Sequence, residues 1–397
     1  MAATTDNLPL RPALPAHMPS LDGLRGWAVL AVMFYHFALP MAASESPTRG
    51  WHLVLKLALT GSYGVDMFFV LSGFLITGIL LDSKSDPHYF KNFYMRRVLR
   101  IFPLYYGVLA VCFGMLFWVP TIKAIAPHQG WLWLYVTNFS ELKGVGFEPM
   151  FSHFWSLAIE EQFYMVWPLV VMLLSRRAML VLSAAIAVGS PVLRCFLIAR
   201  GYAGAEMAAN LTPTRLDGLA MGALLAGVSR GDLGLSAFKV AAILLVSIGG
   251  IGTLALKGLY GSTSNSIWGL SGAGHYLMCS ATAGILCLSL ISKGLWHRLL
   301  SLSLLRFFGK YSYGLYVFHY LLQPWTNDSF WFLTSWPVVS LVIHFGMQLA
   351  LTLGVALLSW HLYEKQFLKL KRYFEHRRSS PAVVTLPTIP PSEIKAA

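Results

Sequence analysis

LDGLRGWAVLAVMFYHF, Leu21 to Phe37, decides the class of this chain. The stretch is apolar enough to enter a bilayer, yet it carries Arg25 and His36. Between them lie eleven steps of about 100°, some 20° past three full turns, so on a helix both side chains share one face. At 1.5 Å per residue they stand ~16 Å apart along the axis, about half of a ~30 Å hydrocarbon core. An arginine at the bilayer centre costs roughly 2.5–3.5 kcal/mol on insertion scales, so ionisable groups within spans usually serve function. Each residue alone has a plain structural account, Arg25 as an interfacial anchor and His36 as a helix–helix hydrogen bonder. On one shared face they read as two ends of a substrate path, with a charge near one surface and a titratable base deeper in.

The rest of the chain is of the same kind. Of 397 residues, 56% are hydrophobic and 12% charged, the latter about half the ~25% usual in soluble proteins. That composition describes a polytopic membrane protein. The net charge of +13 raises the question of nucleic acid, but the basic residues sit mostly between or beside hydrophobic runs, so no nucleic-acid partner is expected. Lys- and Arg-rich cytoplasmic loops explain that placement better. Cys112, Cys195, Cys279 and Cys287 all fall within apolar stretches and read as small buried residues, with neither a disulfide framework nor a metal site expected.

Taken in order, residues 1–20 hold four prolines and form a flexible tail. The apolar run that follows could imitate a signal peptide ending near Met41-Ala42-Ala43. A signal's apolar region is uninterrupted by charge, however, so no cleavage is expected. After the first span at 21–37, further candidates lie near 62–82, 101–119, 153–174, 178–198, 215–229, 238–257, 275–292, 307–323 and 336–360. The aromatic segment 131–139 is too short to cross as a helix.

Loop charges test whether that segment crosses anyway. Lys84, Lys91, Arg96, Arg97 and Arg100 follow the second span, Arg176 and Arg177 the fourth, and Arg230 and Lys239 bracket a later loop. Lys293, Arg298, Arg306 and Lys310 come next, then the tail with Lys365, Lys369, Lys371, Arg372, Arg377 and Arg378. If 131–139 stays out of the membrane, all of these fall on the side of the N-terminus. The positive-inside rule therefore predicts an all-α bundle of about ten spans over 21–365 with both termini cytoplasmic. The basic, then proline-rich tail at 366–397 follows it, disordered after Phe374.

Several stretches could carry chemistry. In FKNFYMRRVLRIFPLYY, 90–106, Arg97 and Arg100 are i, i+3 neighbours and Arg96 and Arg100 are i, i+4. Such a cluster can fork onto phosphate oxygens, or simply attract anionic lipid head groups. Asp66 lies near the outer end of the second span, placed to orient a histidine or to cap the helix, and Ser72-Gly73 further in permits close helix approach. Glu160 and Glu161 lie about two turns into their span with Tyr164 four residues on; adjacent acids diverge by about 100° and form no dyad. One of them could pair with Arg25 or His36, and a partner is expected for an acid at that depth. Arg215, Asp217 and His319 are open to structural or functional roles. Walker, GxSxG, HExxH and CxxC patterns are absent, which leaves P-loop phosphoryl transfer and serine hydrolysis unsupported.

The set LDGLRG…FYHF, GVDMFFVLSGFLIT, FYMRRVLRIFPLYY, HFWSLAIEEQFYMVWP, RLDGLAMGALLA and GKYSYGLYVFH resembles the bacterial acyltransferase-3 family of membrane O-acyltransferases, from about residue 20 to about 365. The family's basic residue, ten residues, then histidine matches Arg25 and His36, and its Arg-x-x-Arg matches Arg97 and Arg100. The resemblance implies acyl-CoA as donor substrate, handled at those arginines on the cytoplasmic side of the inner membrane, with no permanently bound cofactor. It implies transfer of an acyl group, acetyl being the expected one, to a hydroxyl of a glycan or lipid-linked acceptor. Some members add an extracytoplasmic SGNH-type domain, which is not expected here. An imidazole near neutral pKa suits general-base work at His36, and an acyl-histidine relay is the alternative. The competing class is a multi-span transporter or flippase, although no paired halves are visible in the sequence. A purely structural or binding membrane protein is the third.

Overall fold

In a computed structural model the described residues are 18–42, 57–58, 60–147, 150–231, 235–260, 270–291, 294–325 and 337–374. Most of the expected N-terminal tail and the tail after Phe374 lie outside them. The described residues are helical without a strand, and ten helices reach twelve residues or more. They are α1 (Pro19–Ala42), α2 (Gly64–Asp82), α3 (Tyr89–Gly114), α4 (Phe154–Leu173), α5 (Arg176–Ala199), α6 (Asp217–Val228), α7 (Leu235–Tyr260), α8 (His275–Ile291), α9 (Ser303–Leu321) and α10 (Pro337–Ser359). Each candidate apolar run has its helix. Seven segments are both long and apolar enough to cross a membrane.

The three helices that fall short of that mark, α1, α6 and α9, have physical reasons for it. α1 and α9 carry the polar residues, among them Arg25, His36, Lys310 and His319, and they pack along each other. Each helix thereby shields much of the other's polar surface from lipid. The approach is close because Gly26 lies against the backbone of α9, where an added Cβ would run into the Leu305 carbonyl oxygen. α6, at twelve residues, is ~18 Å long and cannot span alone. It is the last piece of a broken run, after the short helices Ala205–Asn210 and Thr212–Arg215. It lies buried between α2, α5 and α8. At Gly73 of α2 a Cβ would meet the Leu219 carbonyl oxygen of α6, the close approach that Ser72-Gly73 predicts.

Two expectations from the loops can be compared directly. Residues 130–133 form a single helical turn and 137–143 a 3-10 segment, too short to cross. They are strapped to the bundle by Tyr105 Oη donating to Leu132 O at 2.8 Å and Gln162 Nε2 to Tyr135 O at 2.8 Å. The basic turns after α2, α4 and α6 meet at one end of the bundle. There Lys84 Nζ donates to Leu174 O at 2.7 Å, Arg176 Nη1 to Arg230 O at 2.7 Å, and Arg230 forks onto Asp82 at 2.7 and 2.8 Å. The third helix starts at Tyr89, twelve residues before the apolar run, so Arg96, Arg97 and Arg100 lie on its first turns, on a helix as their i, i+3 and i, i+4 spacing assumes.

Candidate functional site

A cavity of ≈ 120 Å³ is walled by residues of α1, α2, α3, α4 and α9. Arg25 of α1, Arg97 and Arg100 of α3, Ser72 of α2, Glu160 and Tyr164 of α4 and Tyr316 of α9 are among its walls. Three guanidinium groups thus converge on one space. Arg25 donates to Asp22 Oδ1 at 3.1 Å. Arg97 and Arg100 have no carboxylate within ion-pair distance and form no hydrogen bond among the described residues. What they touch are aromatic faces, Arg97 over Tyr164 at 5.5 Å and Phe93 at 5.9 Å, and Arg100 over Trp360 at 5.6 Å. Such contacts hold the guanidinium planes in place while leaving their N–H edges open to an anion. Arg96 does not line the cavity; its Nε donates to Asn92 O at 3.1 Å.

The acids separate as the helical geometry requires. Glu160 faces the cavity and accepts from Ser72 Oγ at 2.6 Å, with Tyr164 Oη donating to the same Ser72 Oγ at 3.0 Å. Its partner is therefore a hydroxyl, not Arg25 or His36. Glu161, buried on an adjacent face, makes no hydrogen bond or ion pair among the described residues, against the expectation that an acid at this depth finds one.

Beyond the Tyr316 wall lie the histidines. Tyr316 Oη is 2.5 Å from Ser156 Oγ and 3.2 Å from His153 O. On the next turn His319, fully buried, points Nδ1 at Tyr316 O (2.7 Å) and Nε2 at His36 Nδ1 (3.1 Å). His36 Nδ1 is also 3.0 Å from Val32 O, and Gln323 Nε2 donates to His36 O at 2.8 Å. The His153 ring stands 5.0 Å from that of His319, and its Nε2 faces Val317 O at 3.3 Å. A backbone carbonyl takes up one nitrogen of each ring. Among the described residues no trio of His, Cys, Asp or Glu is arranged to hold a metal ion. Arg25 and His36 are therefore joined indirectly, from the cavity through Tyr316 and His319.

His153, Tyr316 and Gln323 are additions to the sequence reading. His153 opens the HFWS stretch and Tyr316 lies three residues before His319, but nothing in either spacing reveals that they meet across 163 positions of chain.

Asp66, Arg215 and Asp217 belong elsewhere. Asp66, fully buried, lies 2.7 Å from Arg215 Nη1, 3.0 Å from His275 Nδ1 and 3.4 Å from Cys279 Sγ. It orients a histidine, as expected of one of its two readings, but that histidine is His275, and the helix start at Tyr63 has no side-chain cap. The Arg215 N–H is not aligned with the Asp66 oxygen, so this contact is an ion pair rather than a linear hydrogen bond. Asp217 pairs with Arg194 Nη2 at 2.9 Å, while Arg194 also donates to Gly272 O and Thr214 O. These pairs lie where the chain breaks ahead of α6. Through Arg194 the second pair also satisfies the Thr214 carbonyl, which the interrupted helix leaves without a helical partner.

A helical bundle with polar helices paired at its centre, a basic cavity and an adjoining histidine cluster defines a multi-pass membrane protein with an embedded site. The chain belongs to the acyltransferase-3 family, whose acyltransferase domain matches residues 18–361. It is similar to the O-acetyltransferase OatA of Staphylococcus aureus (strain NCTC 8325 / PS 47), at 29% identity over 342 residues, 79% of this chain and 52% of that protein. A putative O-acetyltransferase of Staphylococcus aureus (strain MSSA476) is 29% identical over 379 residues, 89% of this chain and 58% of that protein. The chain thus spans somewhat more than half the length of these relatives. No solved structure matches it.

Proposed function

We propose that this protein is a membrane O-acyltransferase that moves an acyl group, acetyl in the first instance, from acyl-CoA to a hydroxyl of a glycan or lipid-linked acceptor. The observation that carries the reading is the convergence of Arg25, Arg97 and Arg100 on one cavity, with the last two lacking a carboxylate. Guanidinium groups that line a cavity in this way suit the phosphates of a CoA ester. The volume of ≈ 120 Å³ is below the roughly 300–1,000 Å³ of common ligand pockets. It suits a short acyl end better than a long chain, and seating the whole donor calls for the cavity to open.

His36 is the base in this reading. It takes the proton of the acceptor hydroxyl as the oxygen attacks the thioester carbonyl; the C–S bond breaks, and the departing CoA thiolate receives the proton from the imidazolium. In the relay alternative His36 is itself acylated and then gives the acyl group to the acceptor. Donor access from the cytoplasm goes with ten spans in the inner membrane and both termini on the cytoplasmic side, a reading that the basic turns gathered at one end of the bundle support.

Release of CoA from acetyl-CoA by the purified protein, with and without candidate glycans, tests the reaction. Failure to release CoA with any acceptor, in protein shown to be folded, would favour the transporter reading. The broken helix before α6 is the one observation on that side. Reporter fusions after Lys84, Arg177, Arg230, Lys293 and the C-terminus test the topology, and all five should report cytoplasm. An external C-terminus would mean a miscounted span.

A further inference from the structure

The basic nitrogen of His36 can be assigned, and with it a role for His319. A backbone carbonyl only accepts hydrogen bonds. His319 Nδ1, 2.7 Å from Tyr316 O, therefore carries the proton, and in a neutral imidazole this leaves Nε2 with the lone pair. That lone pair faces His36 Nδ1 at 3.1 Å, and the same His36 Nδ1 lies 3.0 Å from Val32 O. Both neighbours of His36 Nδ1 are acceptors, so it carries a proton too. The opposite tautomers would set a ring lone pair against a carbonyl oxygen at two places, Tyr316 O and Val32 O, inside a buried cluster. One arrangement satisfies every contact and the other violates two.

We infer that His319 is a positioning residue that holds His36 in its Nδ1–H tautomer, leaving His36 Nε2 as the nitrogen that accepts the proton of the acceptor hydroxyl. His36 Nε2 makes no hydrogen bond among the described residues, as a nitrogen reserved for substrate should. The partner is unusual in being an imidazole. A carboxylate in that place would fix the same tautomer and also hold a charge beside it. His319 supplies the acceptor without the charge, which suits a site within the membrane where an added anion is costly. The titratable groups around the pair are Tyr35 of α1, His153 just ahead of α4 and Tyr316 and Tyr320 of α9, while α10 presents Phe345 to Phe34 and Phe37, with His344 next to it in sequence. No carboxylate contacts either ring among the described residues.

This inference rests on the acyltransfer reading, and three substitutions of His319 test it in the full-length protein with acetyl-CoA. His319→Leu removes the acceptor and should lower kcat about 10²-fold, the low end of general-base effects, with KM for acetyl-CoA nearly unchanged. His319→Gln can still accept from His36 Nδ1 and should keep activity within about tenfold of the parent. His319→Asp should move the acid limb of kcat/KM to higher pH, because a neighbouring anion favours the imidazolium of His36. Equal folded amounts are verified by melting temperature and size-exclusion profile. Full activity in the Leu variant, or a Gln variant as inactive as Leu, overturns the assignment and leaves His319 a packing residue. Histidine-labelled protein gives a readout independent of turnover. Nitrogen-15 NMR should show His36 as the Nδ1–H tautomer in the parent and a larger Nε2–H share in His319→Leu, where Val32 O alone is left to hold the Nδ1 proton; an Nε2–H parent, or no change in that share, refutes the inference. If the NMR result holds while no CoA is released from acetyl-CoA, it is the acyltransfer reading that fails.

Discussion

Two groups of arginines in this bundle, one fully buried and one half-buried, have opposite surroundings. Arg194 and Arg215 are at most 1% exposed and each meets a carboxylate, Asp217 and Asp66, of similar burial. Arg97 and Arg100 face a cavity and meet aromatic rings instead. Aromatic contact does not separate the two groups, since Arg215 also lies over Phe69 and Trp155 at 5.6 and 5.8 Å. The carboxylate does. An arginine matched one-to-one by an acid has its charge answered within the fold and serves to close the break before α6. An arginine with an open N–H edge and no acid is incomplete without an anion from elsewhere. The difference separates the two groups where residue type alone does not.

The comparison is broken most directly at the paired set. Arg194→Ala or Arg215→Ala leaves a buried carboxylate uncompensated and should cost about 3–5 kcal/mol, seen as loss of the monodisperse peak on size exclusion. Asp217→Leu with Arg194→Met should recover much of that loss, since well-packed apolar groups replace buried ion pairs at little cost. Normal folding of the single variants would show that the pairs do not hold the broken helix.

The next largest effect is expected at the histidine, where folding should be untouched. His36→Ala and His36→Gln should both lower turnover by about 10²–10⁴-fold, because an amide hydrogen-bonds but takes no proton near neutral pH. The comparison is made at equal folded amount. Substantial turnover by the Gln variant would return His36 to the helix interface.

The open arginines come third. Arg97→Ala and Arg100→Ala should each weaken acetyl-CoA binding by about 1.5–3 kcal/mol, the range of hydrogen bonds to charged groups, with folded yield unchanged or improved. Lysine at either position should restore only part, lacking the guanidinium fork. Unchanged acetyl-CoA binding in both alanine variants would make this cluster a lipid anchor and end the contrast with the paired set.

The smallest effect sharpens the same point from the surface. Arg230 forks onto Asp82 as closely as the buried pairs meet, but Asp82 is 48% exposed. Asp82→Asn should therefore shift stability by less than about 1 kcal/mol, read as a small change in melting temperature. A large shift would mean that pairing alone, and not pairing under burial, sets the cost.

Residue spacing was enough to place Arg25, Arg97 and Arg100 as candidates, because a helix's period is local and all three sit on helices of the expected kind. It was enough to flag His36 for the same reason. It separated Glu160 from Glu161 correctly in direction, since 100° per residue is fixed, but not in partner. The partner of Glu160 is Ser72, 88 positions away, and no local rule reaches that far.

By itself, the sequence determined that this is a helical membrane protein, where its apolar runs lie and that 131–139 is too short to cross, because hydrocarbon thickness and helix rise leave few alternatives. It also carried the motifs by which the family is known. Only the tertiary structure decided which arginines are matched by acids, that Asp66 holds His275 and not His36, and that His319 and Tyr316 stand between His36 and the basic cavity. Those outcomes depend on which helices become neighbours. Helix adjacency is set by close approaches such as Gly26 on Leu305 and Gly73 on Leu219, summed over contacts between segments far apart in the chain, where neither periodicity nor hydropathy carries information.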